Sequence, residues 1–364
     1  MPSLRSTAKL LDPVSQVISM RKLAQIVSLQ PPISLCRLNE LGMLYRSEWD
    51  NYKVEDVEQA LNLVNKSGKL YFLKGKCNGL PIPHIPLIGS EAHVQGVASY
   101  KDYFIITHNS ESGSAKTGSI VVLNQNSLKI VNKMNTPEGY NHPGGIQQIG
   151  NYLAVSLESK DESIKDSFIR FYDLRQLSNT QLPILLEKPS IYRTNKKAGS
   201  VGITTYKENG IDKFILAVHD NGSVDFYKSN GKLLSDPLCN FDFVFNCNIT
   251  SADNLCLVTD KQEKIYMIGF RSTADKIGLP VVDYADLYLI DMNTMNVNPK
   301  TSNIHFICNH GPLIPGVGVH FRWGAGIRIV SSSKIEVLAT QRNFVPPVIL
   351  YPPQREIGIN IFYS

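Results

Sequence analysis

The chain has 364 residues, of which 43% are hydrophobic and 19% are charged, a composition typical of a folded protein rather than a disordered one. Its net charge of +5 is spread along the sequence, and no block of Lys and Arg predicts a nucleic-acid partner or an anionic membrane surface. No apolar run approaches the length of about 18 residues that a membrane-spanning helix needs. We therefore expect neither a nucleic-acid partner nor a transmembrane segment.

Residues 1–68 precede the repeats described below and are predicted to form a partly helical extension. Residues 54–64 carry apolar side chains at the spacing of an amphipathic helix. The first thirty residues include Arg5, Lys9 and Asp12 and lack the apolar core of a Sec signal peptide. We therefore expect a cytoplasmic protein, or one that is exported without a recognisable Sec signal.

The six cysteines show neither a CxxC pair nor a Cys/His spacing typical of zinc sites. We predict that they are buried free thiols in a reducing compartment, since one of them lies within an apolar run at residues 255–258. No cofactor is predicted from this pattern. The cysteines are Cys36, Cys77, Cys239, Cys247, Cys256 and Cys308.

A five-residue signature of small or polar residues that ends in Val or Ile recurs five times along the chain. Its fourth position is Gly in four copies and Asn in the other, and a glycine at a fixed point in a strand indicates a close approach of backbones. We predict that these segments are the innermost strands of a propeller. The copies span residues 93–97, 142–146, 199–203, 245–249 and 323–327, with Gly96, Gly145, Gly202, Asn248 and Gly326 at the fourth position.

Each signature is followed by further predicted strands, and their apolar runs fit strands that are buried on both faces. Second strands are predicted at residues 103–109, 152–158, 214–220, 265–271 and 335–341. Third strands are predicted at residues 119–124, 167–173, 223–228, 286–291 and 359–363. Fourth strands are predicted only in the first four copies, at residues 128–134, 184–188, 232–234 and 303–308.

The fifth copy lacks a fourth strand of its own, and residues 69–74 are predicted to complete it by pairing with residues 359–363. This pairing would cover two sheet edges at once. The 78-residue step from Asn248 to Gly326 leaves a sixth blade as the alternative. That stretch offers only a third and a fourth strand, so we predict five blades.

With this repeat, residues 69–364 resemble the five-bladed β-propeller superfold, which includes tachylectin-type lectins and arabinanase-type glycosidases. The resemblance implies an all-β fold in which the last blade is closed by strands from both ends of the repeat region. It also implies a ligand face formed by the loops that enter the innermost strands and the loops that follow the second strands. No functional motif of either group is present, and fold alone does not assign a function.

His93 and His142 occupy the same position in two adjacent copies, at the start of the predicted innermost strands. Together with Glu158 they are our candidates for catalytic residues and for ligands of a divalent metal, because imidazoles that converge with a carboxylate suit zinc or iron. The alternative is that each histidine caps its strand through a hydrogen bond to a neighbouring loop.

Aromatic, basic and acidic side chains in the same loops are candidates for ligand binding, since a ring with Arg nearby can stack a sugar or hold an acidic group. The alternative is that Trp323 and Phe245 simply fill the channel. The predicted ligand-binding residues are Tyr140, Asp220, Arg322, Trp323 and Arg342.

Two functions of different class stay open. The first is a non-catalytic, monomeric binding protein that uses the loop-rich face for a glycan, a small molecule or a partner protein. The second is a hydrolase of the lactonase, esterase or glycosidase kind, or a metal-dependent enzyme, with its site at the channel mouth. The five signatures contain no Asp or Glu, whereas glycosidases use a pair of carboxylates.

Overall fold

The computed structural model describes residues 53–76, 92–109, 116–249, 252–274, 280–310, 318–344 and 354–364. The described chain is all-β apart from one short helix, and its strands form antiparallel sets of four in the manner of a propeller. Most of the predicted N-terminal extension lies outside the described residues, so its boundary at residue 68 stays a prediction. No helix in the described ranges has the length and apolarity needed to cross a membrane.

Twenty of the described strands form five sets, each running from a first strand to a fourth strand in hydrogen-bonding order. The first set is β3 (Val94–Tyr100), β4 (Tyr103–His108), β5 (Ser119–Asn124) and β6 (Lys129–Asn135). The second set is β7 (His142–Ile149), β8 (Tyr152–Glu158), β9 (Ser167–Asp173) and β10 (Ile184–Arg193). The third set is β11 (Ser200–Glu208), β12 (Ile211–Asp220), β13 (Ser223–Ser229) and β14 (Phe241–Asn248).

The remaining two sets complete the series. The fourth set is β15 (Asn254–Asp260), β16 (Ile265–Ala274), β17 (Pro280–Asp291) and β18 (Asn296–Phe306). The fifth set is β19 (Val319–Ser331), β20 (Lys334–Gln341), β21 (Gln354–Phe362) and β2 (Lys69–Lys76). The described strands between Arg271 and Trp323 are thus the third and fourth strands of the fourth set, as the sequence predicts.

First strands of neighbouring sets contact one another, and the glycines of the signature allow this approach. A Cβ atom at Gly96 would lie 2.8 Å from the Cα atom of Gly145 in the next set. A Cβ atom at Gly326 would lie 2.1 Å from a backbone oxygen of Val97. Because backbone cannot yield as a flexible side chain can, these positions exclude any larger residue.

The prediction for the fourth copy is wrong. Residues 245–249 were expected to form an innermost strand with Asn248 in the glycine column, but β14 is the outer strand of the third set and pairs with β13. Phe245 does not fill the channel, because its ring stacks on Phe226 of the same set at a centroid distance of 4.5 Å. The innermost strand of the fourth set is β15, whose buried run includes Cys256.

The fourth strand of the third set was predicted at residues 232–234, but these residues lie between β13 and β14 and form no strand. The fourth strand of this set is β14.

The predicted closure of the fifth set is present. The strand β2 pairs antiparallel with β21 along its whole length, from Lys69 opposite Ile361 to Lys76 opposite Gln354. A single parallel bridge between Lys74 and Lys129 then joins the fifth set to the first, so that the two form one eight-stranded sheet.

The described residues before β2 pack against the fourth and fifth sets. Strand β1 (Lys53–Val54) pairs in parallel with β15, and helix α1 (Val57–Leu63) follows it. Asp56 caps the helix by accepting a hydrogen bond from the backbone N–H of Gln59 at 2.9 Å, a role that suits Asp. The helix is therefore shorter than the predicted span of residues 54–64.

Candidate functional site

The starts of the first strands and the ends of the second strands lie at one end of the sets, which we call the channel mouth. The strand register fixes this arrangement, because His142 at the start of β7 pairs with Glu158 at the end of β8. Val94 pairs with His108 in the first set in the same way. The predicted site residues were chosen from these two positions, so the antiparallel pairing brings several of them together.

A chain of hydrogen-bonded side chains runs across the channel mouth. The side-chain amide nitrogen of Gln95 lies 2.6 Å from Nε2 of His93 and 2.6 Å from Nε2 of His142. Nδ1 of His142 lies 2.7 Å from Oε1 of Glu158, whose Oε2 accepts the backbone N–H of Ala198 at 2.8 Å. We call His93, Gln95, His142 and Glu158 the polar chain.

The contacts of Glu158 set the protonation of this end of the polar chain. Burial raises the pKa of Glu158, but the hydrogen bond and charge of His142, the Ala198 amide and the charge of Lys197 outweigh burial and hold that pKa below its ordinary value. Glu158 is therefore a carboxylate at neutral pH, and it accepts a hydrogen bond from Nδ1 of His142. The Nε2 atom of His142 then faces Gln95 and the channel.

His93 connects the polar chain to an aromatic and basic group. Its backbone N–H donates to Oδ1 of Asn109 at 2.5 Å, which fixes the start of β3 against the end of β4. Its ring meets the ring of Trp323 edge-on at a centroid distance of 5.4 Å. The capping role that we gave as the alternative for His93 fits these contacts, since its Nδ1 also lies 3.3 Å from Nδ2 of Asn109 while its Nε2 contacts Gln95.

The guanidinium groups of two arginines lie over the ring of Trp323. The Cζ atom of Arg342 lies 4.9 Å from the centre of the Trp323 ring, and that of Arg322 lies 5.4 Å from it. Burial and the charge of Arg322 both lower the pKa of Arg342. Trp323 is only 6% exposed, so it supports these groups from below and offers little surface for stacking a sugar.

The other two predicted ligand-binding residues lie apart from this group. Asp220 accepts the backbone N–H of Lys197 at 3.2 Å and forms an ion pair of 3.6 Å with Nη2 of Arg193. Burial raises the pKa of Asp220. Tyr140 packs edge-on against Phe168 at 4.9 Å, among side chains of the first and second sets.

Gln147 of β7, which had not been predicted, bonds to the backbone of two other sets. Its side-chain nitrogen donates to the backbone oxygen of Leu257 at 2.7 Å. Its side-chain oxygen accepts the backbone N–H groups of Ile203 and Leu257 at 2.9 and 2.8 Å. One amide thus links the first strands of three sets.

Gln95 had also not been predicted, although its position was informative. It lies two residues after His93, and the strand pairing is irregular between Val94 and Gly96, which is where its side chain turns to both histidines. No comparable signal pointed to Gln147, whose partners come from β11 and β15.

A second histidine–carboxylate pair lies in the fourth and fifth sets. Nδ1 of His320 is 2.8 Å from Oδ2 of Asp283, and both side chains are buried. Burial raises the pKa of Asp283, but His320 and the hydrogen bonds from Ser272 and the Phe321 amide outweigh burial and bring that pKa below its ordinary value.

Metal binding at His93, His142 and Glu158 stays a prediction. In the described ranges, no three His, Cys, Asp or Glu residues are grouped so that they could hold a metal ion. The four described cysteines, Cys239, Cys247, Cys256 and Cys308, are free thiols.

The comparisons with known proteins concern the fold. No protein-family model matches the sequence, and no curated protein matches it. A GH62 hydrolase in complex with xylotriose is similar at 9% identity and a TM-score of 0.45, over 83% of this chain and 99% of that chain.

Two further solved structures are similar at lower TM-scores. A Bombyx mori GH32 β-fructofuranosidase in complex with sucrose matches at 10% identity and a TM-score of 0.40, over 92% of this chain and 64% of that chain. The Dos1 propeller matches at 8% identity and a TM-score of 0.31, over 73% of this chain and 67% of that chain. Similarity at this level transfers no activity. The chain is a propeller-type all-β protein to which no specific family is matched.

Proposed function

We propose that the protein binds a carbohydrate at the channel mouth, and the polar chain is the observation that carries the proposal. Its four side chains are planar groups whose nitrogen and oxygen atoms donate or accept hydrogen bonds at fixed angles. Sugar hydroxyls also donate and accept, so they can replace water on such groups without loss of hydrogen bonds.

The half-buried state of His93, Gln95 and His142 strengthens the argument for a polar ligand. An apolar ligand would remove the remaining water from these side chains and leave donors and acceptors unsatisfied, at a cost of about 1–3 kcal/mol for each group. A hydroxyl-rich ligand avoids this cost. The paired strands, whose first strands are linked by the Gln147 amide, hold the polar groups in place before the ligand arrives.

We also infer that the five four-strand sets are the blades of one closed propeller. Three contacts support this reading of the ring. The backbone N–H of Gly145 donates to the oxygen of Gly199 at 2.9 Å, joining the second and third sets. Asn254 donates to the oxygen of Phe321 at 3.1 Å, joining the fourth and fifth, and β2 bridges to β6, joining the fifth and first.

The test is equilibrium binding to a panel of oligosaccharides, with His142→Ala beside wild type. We expect His142→Ala to weaken binding at least about tenfold, because it removes one member of the polar chain and one hydrogen-bond partner each of Glu158 and Gln95. His305→Ala is the matched control, since His305 is exposed on the outer strand β18. Failure of wild type to bind any member of the panel contradicts the proposal.

Hydrolysis is the second candidate function, and the pair of His142 and Glu158 favours it. An imidazole whose Nδ1 is held by a carboxylate can act as a general base through Nε2. In an ester or lactone hydrolysis, Nε2 would take a proton from water while the water oxygen bonds to the carbonyl carbon, and the departing alkoxide would then take that proton. The step requires Gln95 to release Nε2 first.

An ester or lactone suits this geometry better than a glycoside, because glycoside cleavage uses two carboxylates across the scissile bond. A panel of aryl esters and lactones, measured with wild type and Glu158→Gln, tests this candidate. We expect turnover to fall at least about a hundredfold in Glu158→Gln, because the imidazole loses its orienting partner. Absence of turnover by wild type on the whole panel contradicts it.

A further inference from the structure

The two arginines beside Trp323 indicate which class of carbohydrate binds at the channel mouth, and this inference rests on the proposed function. We propose that the carbohydrate carries an anionic group, a carboxylate or a sulfate, which Arg322 and Arg342 bind while the polar chain binds its hydroxyls. The guanidinium groups lie over one ring, at 5.4 and 4.9 Å from its centre.

The guanidinium groups of Arg322 and Arg342 lie over the same ring, so their charges lie close enough to act on each other. The effect is visible at Arg342, whose pKa is lowered by burial and by the charge of Arg322. Arg342 follows directly after the end of β20 and Arg322 lies in β19, so the pairing of these strands keeps both groups at the mouth. A low-dielectric position strengthens the attraction for an anion.

The chemistry of the guanidinium group points to planar or tetrahedral oxyanions. Its N–H donors form a rigid fork that matches two oxygens of a carboxylate or sulfate. Stacking on Trp323 restricts the rotation of each fork, which reduces the entropy that binding would otherwise cost. Arg322 is exposed and therefore reachable by a ligand from solvent.

The position of the pair relative to the polar chain allows one ligand to contact both. The Trp323 ring lies 5.4 Å from the ring of His93, and His93 is the first member of the polar chain. One sugar residue spans about this distance, so an acidic substituent at the arginines places the sugar over His93 and Gln95. Asp253 is the acidic group on which the charge of Arg322 acts, and it would repel an anion from that side. The anion is therefore expected nearer to Arg342.

The experiment compares three oligosaccharides of the same length: a neutral one, one with a uronic acid, and one with a sulfate ester. Equilibrium binding is measured for wild type, Arg322→Gln and Arg342→Gln. The matched control is Arg175→Gln, which removes an exposed guanidinium next to Asp173, at the opposite end of the second set. We expect wild type to bind at least one acidic oligosaccharide about tenfold or more tightly than the neutral one.

In Arg342→Gln this preference for the acidic oligosaccharide should fall to about twofold or less, while Arg175→Gln keeps it. The preference of wild type should also weaken in high salt, because salt screens the charges. Because Arg342 is half-buried, Arg322→Gln and the salt series test the inference if Arg342→Gln does not fold. Equal binding of all three ligands by wild type overturns the inference but not the proposed function. Binding of none of them, nor of the wider panel, overturns both.

Discussion

Two histidine–carboxylate pairs of the same geometry occupy different environments in this protein. The side chains of His142 and Glu158 at the channel mouth are 21% and 11% exposed, whereas those of His320 and Asp283 are 0% and 2% exposed. Their nitrogen–oxygen distances are nearly equal, at 2.7 and 2.8 Å. Contact geometry alone therefore does not distinguish the two pairs, whereas access to solvent does.

The surroundings of the buried pair explain the difference. Asp283 also accepts the hydroxyl of Ser272 at 2.6 Å and the backbone N–H of Phe321 at 2.8 Å, and His310 covers the His320 ring at a centroid distance of 4.4 Å. Buried charges are tolerated when several hydrogen bonds satisfy them. The pair of His320 and Asp283 thus holds β17 and β19 together, and no ligand reaches it.

The largest effect is expected for His320→Ala. Removing one partner of a buried pair leaves a carboxylate without compensation, and we expect a loss of about 3–5 kcal/mol in the free energy of unfolding. Urea denaturation followed by tryptophan fluorescence measures it, with exposed His305→Ala as the control. An unchanged midpoint for His320→Ala would show that the buried pair does not stabilise the fold, and the contrast between the pairs would fail.

A buried histidine without a carboxylate partner should respond differently to pH. His108 is fully buried, and burial lowers its pKa to about 4 from the ordinary value of 6.5. The unfolded chain therefore binds a proton between pH 6.5 and 4 that the folded chain does not, so stability falls as pH decreases through this range. The shift corresponds to a loss of about 3 kcal/mol at pH 4.

The measurement for His108 is the free energy of unfolding from pH 7 to pH 4, in wild type and in His108→Gln. Carboxylates titrate in part of the same range, so the difference between the two proteins is the informative quantity. We expect wild type to lose stability more steeply than His108→Gln. Parallel curves would show that the pKa of His108 in the folded protein lies close to its ordinary value of 6.5.

The smallest effect on stability is expected for His142→Ala. His142 and Glu158 are more exposed than His320 and Asp283, and in the variant Glu158 keeps its hydrogen bond from the Ala198 N–H, so the loss of stability should be smaller than for His320→Ala. The melting temperature should therefore fall by less than about 4 °C, even though ligand binding is expected to be lost. A large drop in the melting temperature would place the channel-mouth pair in the same structural class as His320 and Asp283.

Much of the fold could be predicted from the sequence because local patterns repeat. The glycine positions at Gly96, Gly145, Gly202 and Gly326 mark innermost strands, and the missing fourth strand of the last set directed attention to residues 69–74. The fourth copy was mispredicted because residues 245–249 imitate the signature, whereas β15 has no glycine. The backbone of β15 can approach β11 closely because β11 carries Gly202, whose Cβ would lie 3.0 Å from the Leu257 nitrogen.

The site was predictable only where strand register fixes it. His142 and Glu158 are opposite each other in a hairpin-connected pair of strands, so their positions in the repeat were enough. The contacts of His320 with Asp283, and of Gln147 with Ile203 and Leu257, join different sets or distant strands. Such contacts depend on how the sets are arranged around the axis, which no local pattern records.

The strand that completes the fifth set has a consequence for folding during synthesis. Lys69 pairs with Ile361, so the edge of β2 stays uncovered until β21 has been synthesised, after nearly all the other strands. While the ribosome makes the intervening residues, β2 exposes unpaired backbone groups that another chain could bind. Contacts this distant in sequence also slow folding. We therefore expect the yield of folded protein to depend on chaperones and on expression temperature more strongly than its final stability suggests.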